Sequence, residues 1–142
     1  MLFRSTAVDL ISSSPLIETG DMHNLRHADH SFDVVISSWV LNYSSNPQRA
    51  IDEMVRVCKR GGIVAIGLTY NPEVAVISPN GVSNREAIVG SMHKSVAELK
   101  SRFGSKLDRV YFQYEPDDLG KKAPLMLVAR LSSEFGYQSN NV

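Results

Sequence analysis

Two short, unbroken apolar runs constrain the fold of this chain more than any other feature. Phe32 to Ser37 reads FDVVIS and Ile63 to Leu68 reads IVAIGL. Neither alternates with polar residues, so each fits a strand covered on both faces, as in a parallel sheet. Between them, Ala50, Ile51, Met54, Val55 and Cys58 fall at three- and four-residue spacing and make one apolar helical stripe. Asn46 is a helix N-cap and Pro47 suits the first helical position, where a missing N–H costs nothing. Lys59 and Arg60 suit the negative end of the helix dipole. Gly61 is expected to stop the helix in a left-handed cap, with Gly62 leading into the second strand. The result is a strand-helix-strand unit with a right-handed crossover.

The flanking segments extend this unit. Ala7 to Leu10 (AVDL) and Leu16 to Thr19 read as strands, although the connection ISSS before Pro15 is far shorter than the dozen residues a parallel crossover usually takes. Downstream, Ser83 to Glu86 and Ser95 to Glu98 have capping-box spacing and predict helices near Asn84 to Met92 and Val96 to Phe103. Ile88, Val89, Met92, Val96, Leu99 and Phe103 are their core residues. Val110, Phe112 and Tyr114 alternate with Arg109, Tyr111 and Gln113, which predicts a strand with one buried and one wetter face. Leu125 to Leu131 is a last strand. The polar connection EPDDLGKKA holds no helix, so these two strands pair as an antiparallel hairpin. The whole reads as a single α/β domain over residues 1–136 with a polar tail at residues 137–142.

Bulk composition excludes several classes. A chain of 142 residues with formal net charge +0 and a pI of about 6.9 has no electrostatic reason to bind nucleic acid or an anionic membrane. The same neutrality lowers colloidal repulsion and eases self-association. The one cysteine, Cys58, rules out an internal disulfide framework and reads as a small buried hydrophobe on the helix stripe. A reducing cytoplasm is expected. The start, MLFRSTAVDLISSS, lacks the apolar stretch of a signal peptide.

A few polar residues stand where chemistry is done. Asp21 follows a strand and Gly20. A carboxylate at a strand tip accepts a hydrogen bond from an exocyclic amine, and the neighbouring Met22 packs on a base; the alternative is an ordinary turn-forming Asp. Asp9 ends the first strand of this chain, and dinucleotide folds place an acidic residue that ends their second strand on ribose hydroxyls. Ser37, Ser38 and Trp39 close the strand from Phe32, at the end where backbone groups face a ligand crevice; Trp39 is equally a core anchor. His23, His27 and His30 invite a metal reading with Asp21 and Asp29, but i,i+4 spacing serves a metal only on a helix, and a solvated loop is the better reading. No serine elbow occurs. Lys59-Arg60 and Lys121-Lys122 are solvated pairs rather than a nucleic-acid patch.

The run from Gly20 to Leu68, beginning GDMHNL, resembles the middle of the class I S-adenosylmethionine-dependent methyltransferases, specifically the type 11 domain. The resemblance extends over most of Ala7 to Leu131. It implies a truncated Rossmann-like fold, mostly parallel, with a C-terminal antiparallel hairpin. It implies S-adenosylmethionine as cofactor, with Asp21 on the adenine amino group, Met22 on the ring, Asp9 on the ribose, and Ser38 and Trp39 beside the methionine part. Asn42 and Tyr43 stand where relatives often carry an acid-histidine pair, so no catalytic residue is assigned. The activity implied is methyl transfer to an O, N or C of a small-molecule acceptor. Family members begin with a strand ending in a GxGxG-like loop, and none of the nine glycines here offers one. The chain is therefore expected to lack the first strand and helix. Unpaired buried backbone groups cost about 1–3 kcal/mol each, so closure of the gap is expected through a homodimer, a shared strand, or direct pairing of the N-terminal strand with Phe32 to Ser37. The alternative function is a non-catalytic subunit of the same fold.

Overall fold

The computed structural model describes residues 4–71, 93, 95–118 and 120–134. Its strands are β1 (Ala7–Asp9), β2 (Ile17–Thr19), β3 (Phe32–Ser38), β4 (Cys58–Tyr70), β5 (Leu107–Tyr114) and β6 (Ala123–Leu131). Its helices are α1 (Pro47–Val57) and α2 (Val96–Phe103), with single 3-10 turns at Leu41–Tyr43 and Gly104–Lys106. The expected helix near Asn84 to Met92 and the polar tail lie outside the described residues.

The strands form two sheets. β1 and β2 pair in parallel as a two-stranded piece, and the other four run β3-β4-β6-β5. β3 and β4 are parallel, whereas β6 is antiparallel to both of its neighbours. The predicted terminal hairpin is present, and its second strand sits inside the sheet. The N-terminal strand does not pair with Phe32 to Ser37 as one expectation had it; it pairs with β2. The short connection is accommodated because each of these strands has only three residues.

Helix α1 begins as the sequence dictates. The Asn46 side chain accepts the Arg49 N–H at 3.1 Å and Pro47 opens the first turn. Its end differs from the expectation. The helix stops at Val57, and Cys58 is already extended at φ −75°, ψ 139°. Lys59 and Arg60 therefore lie beyond the helix, and the glycines do not cap it. Instead, Phe32 pairs with Cys58 and Val34 with Ile63, so residues 59–62 bulge opposite Asp33 alone. Gly61 takes φ +70° within that bulge. Gly62 is required by space: a Cβ there would stand 2.8 Å from Cys58 Sγ, 2.8 Å from the Lys59 carbonyl and 2.9 Å from the Asp33 carbonyl. Cys58 itself is fully buried, and burial pushes its thiol up to about 11, as suits an inert hydrophobe.

One face of the four-stranded sheet is the core. Val64, Ile66, Leu68, Leu125, Leu127, Ala129 and Leu131 are buried together with Ile51, Met54 and Val55 of α1 and Val96, Leu99 and Phe103 of α2. Ser95 caps α2 by accepting the Glu98 N–H at 3.1 Å, as its spacing predicts. The opposite face carries cross-strand rows set by register. Ile36, Ala65, Val128 and Phe112 make one row, and Ser38, Gly67, Met126 and Tyr114 the next. Ile36 is 69% exposed and Phe112 51%. The predicted alternation in β5 fails for a physical reason. The pairing shifts between Val110 and Phe112, so Val110 sits opposite Ala129 while Phe112 sits opposite Val128, and a bulge at Tyr111 puts them on different faces. Neither face of β5 is buried.

A buried ion pair fastens the loop that follows β2. Glu53, 3% exposed on α1, accepts the Leu25 N–H at 2.8 Å and takes both the Nε and a terminal nitrogen of Arg56, at 2.9 and 2.7 Å. Arg56 also donates to the carbonyls of Leu25 and His27 and to Asp29. This forked pairing holds the Glu53 carboxyl below the usual carboxylate range, against the opposing effect of burial. Its stabilisation is complete above the ordinary glutamate value of 4.5 and fades as pH falls through the lower folded value.

Glu53→Ala is expected to cost about 2 kcal/mol in urea unfolding, because it leaves the Leu25 amide and the Arg56 Nε without their acceptor. Wild-type stability is expected to decline more steeply below pH 4.5 than that of Glu53→Gln, in melts over a pH series. Gly62→Ala is expected to lower stability by about 2 kcal/mol, since the new methyl meets fixed backbone oxygens.

Candidate functional site

The whole of β1, most of β3 and the residues just past β2 line one cavity of about 910 Å³. Residues 6–11 of the β1 segment form one wall, and Phe32 and residues 34–38 of β3 form the facing wall. Gly20, Asp21, Met22 and His23 close the end beyond β2, and Tyr43, Ala50 and Met54 close the side toward α1. This volume is within the range of small-molecule sites, about 300–1,000 Å³. Asp9, Asp21, Met22 and Ser38 thus share a single hollow, each at or just past a strand end.

Gly20, just past β2, carries the close pairing of β2 with β1 one residue further. Its N–H donates to the Asp9 carbonyl at 2.9 Å, and a Cβ there would meet Val8 Cγ1 at 2.8 Å. Asp9 lines the cavity and accepts the Leu10 N–H on Oδ1 at 2.7 Å. Met22 packs against the core from its half-buried position. The Asp21 carboxylate accepts the backbone N–H of His23 at 2.8 Å and sits 2.7 Å from its ring Nδ1, both on Oδ1. These bonds, the backbone one first, hold its carboxyl below the usual range, so it is an anion at neutral pH.

Trp39 behaves differently from Ser38. It does not line the cavity; its ring lies on Gly67, whose Cβ position is 3.3 Å from ring carbon Cζ3. Its backbone N–H reaches the Gly67 carbonyl at 2.8 Å and its φ is +60°, a strained conformation for a bulky residue. Asn42 is buried and committed to structure. Its amide donates to the Thr69 carbonyl at 2.8 Å and accepts the Thr69 N–H at 3.0 Å, like one rung of a ladder. Tyr43 beside it is exposed and faces the cavity.

The histidines go to separate partners. His27 packs edge-on against Phe32 with ring centroids 5.0 Å apart, and His30 Nδ1 lies 3.0 Å from the Cys58 carbonyl. His23 and His27 both line the cavity, and His23 also touches Ser44, whose Oγ is 2.6 Å from Nε2. Sequence reasoning missed this contact and the Glu53–Arg56 clamp. The Asp-x-His spacing hinted at the first half of the former; the Ser44 half spans residues far apart in sequence. No helix among the described residues is long and apolar enough to cross a membrane.

Comparison with known proteins agrees with this geometry. Residues 3–66 match the family described as Methyltransferase domain. Demethylmenaquinone methyltransferase of Paenarthrobacter aurescens is 42% identical over 55 residues, which are 39% of this chain and 22% of that protein. A SAM-dependent methyltransferase from Aquifex aeolicus superposes with a TM-score of 0.51 at 19% identity, covering 82% of this chain and 56% of the other. A complex between the Haloferax volcanii Trm112 methyltransferase activator and a methyltransferase gives a TM-score of 0.54 at 19% identity, over 85% and 64% of the two chains. The curated relatives are longer: matched stretches span 9% to 35% of their length. Residues 3–66 thus resemble a methyltransferase domain, and the fold is shared with solved methyltransferases over more than four fifths of the chain.

Proposed function

We propose that the cavity between β1 and β3 binds S-adenosylmethionine and that the protein serves methyl transfer to a small-molecule acceptor. The convergence of Asp9, Asp21, Met22 and Ser38 on one hollow carries this reading. Asp21 is anionic and, among the described residues, only its Oδ1 is engaged; Oδ2 suits an exocyclic amine. Met22 supplies apolar contact for a base. Asp9 takes ribose hydroxyls, and Ser38 faces the methionine end, with Trp39 supporting that strand end from Gly67. The sulfonium of the bound cofactor would supply an electrophilic methyl group. The residues of this chain orient the two reactants in line, the main requirement of such a transfer. Tyr43 is the polar side chain at the cavity mouth placed to contact an acceptor, and no residue takes the role of general base.

The same reading includes a second polypeptide. The outer face of the sheet carries Ile36, Phe112 and Tyr114 exposed, and net charge is +0, which favours association of two copies through shared strands or faces. The activator bound to the Haloferax volcanii relative supports the simpler statement that this fold works with partners. The buried thiol and absence of any other cysteine agree with a cytoplasmic setting.

Isothermal titration with S-adenosylhomocysteine is expected to show saturable binding, weakened about tenfold to a hundredfold in Asp21→Ala, the loss of one hydrogen bond to a charged group. Silence at millimolar ligand would overturn the cofactor reading. Light scattering is expected to give twice the monomer mass; a monodisperse monomer at high concentration would remove the assembly.

A further inference from the structure

Asp21, His23 and Ser44 form a hydrogen-bonded line that ends at the start of α1. Oδ1 of Asp21 is taken twice by His23, through the backbone N–H at 2.8 Å and ring Nδ1 at 2.7 Å. Ring Nε2 stands 2.6 Å from Ser44 Oγ. That hydroxyl oxygen also accepts the Asn46 N–H at 3.2 Å, and Asn46 caps α1. The His23 carbonyl in turn accepts Arg49 Nε at 2.9 Å. His23 is thus held at its amide, its carbonyl and both ring nitrogens.

The direction of each bond follows from donor chemistry. An ionised carboxylate only accepts, so Nδ1 carries the ring hydrogen. The neutral ring then has a bare Nε2, which accepts the Ser44 hydroxyl hydrogen. Asp-His-Ser order is also that of hydrolytic triads, whose recognition rests on roles rather than sequence. Ser44 does not have the nucleophile's role: it is 3% exposed and does not line the cavity. The line is a brace.

We infer that His23 is a positioning residue that occupies Oδ1 of Asp21, turns Oδ2 toward an N–H donor on the ligand, and ties that reader to the N-terminus of α1 through Ser44. On the cofactor reading above, that donor is the exocyclic amine of the adenine. That ligand half rests on the cofactor reading above; the brace itself does not.

Two measurements separate them. Long-range proton–nitrogen NMR on the uniformly labelled full chain, with no ligand, reads the ring tautomer. His23 is expected to be the Nδ1–H form in the wild type and to gain Nε2–H character in Ser44→Ala. An Nε2–H ring in the wild type overturns the brace whatever the chain binds. Titration with S-adenosylhomocysteine is then expected to weaken about tenfold in His23→Leu, and to recover most of that in His23→Asn, whose amide keeps a donor at the Nδ1 position. Adding His23→Leu to Asp21→Ala is expected to cost nothing further. Wild-type affinity in His23→Leu overturns the positioning role. Failure of the wild type to bind overturns the cofactor reading and the ligand half, while the tautomer still decides the brace.

Discussion

The buried pairing of Glu53 with Arg56 is the constraint on which the site depends. Residues 20–31 form the long irregular connection between β2 and β3, and such a connection has no ladder to hold it. The fork on α1 supplies that hold by satisfying the Leu25 amide, the carbonyls of Leu25 and His27, and Asp29 at once. A buried carboxylate survives there because every lone pair it turns inward has a donor. Asp21 and Met22 therefore reach the cavity from a loop that is anchored a few residues further on.

The remaining supports act on the other rim in the same way, by giving irregular backbone a partner from a regular element. Asn42 pairs with Thr69 in both directions and locks the turn after β3 to β4. His30 and Ser31 donate to the carbonyls of Arg56 and Val57, bringing the start of β3 against the end of α1. Trp39 spends backbone strain to lay its ring on Gly67. The cavity is consequently walled by short, fixed segments although the strands nearest it, β1 and β2, have three residues each. A two-stranded piece of that length is not stable alone in water. The packing of Met22 on the core attaches it to the rest.

Two departures of the sequence reading from the structure trace to a bulge. Apolar periodicity counts residues, and a bulge adds a residue that the count cannot see. In β5 the extra residue Tyr111 put Val110 and Phe112 on different faces, although their spacing promised one. At the end of α1, the stripe from Ala50 to Cys58 ran one residue past the helix, because Cys58 is buried equally well as the first residue of a strand. The Gly61-Gly62 pair signalled a special backbone and was read as a helix stop; the close approach of Cys58 and Asp33 to Gly62 shows that it serves a strand bulge instead.

Local sequence determined what local physics decides: the caps at Asn46 and Ser95, the apolar strands, the hairpin, and the acidic residues at strand ends. It also carried the resemblance to methyltransferases, through the run from Gly20 to Leu68. Only tertiary structure decided which distant groups meet. The contacts of Leu25 with Glu53, His23 with Ser44 and Asn42 with Thr69 join residues more than twenty apart in sequence, and no periodicity encodes such pairs. The division of the strands into two sheets around a cavity was equally invisible, because pairing partners are fixed by which edges the packed helix brings together, not by the composition of either strand.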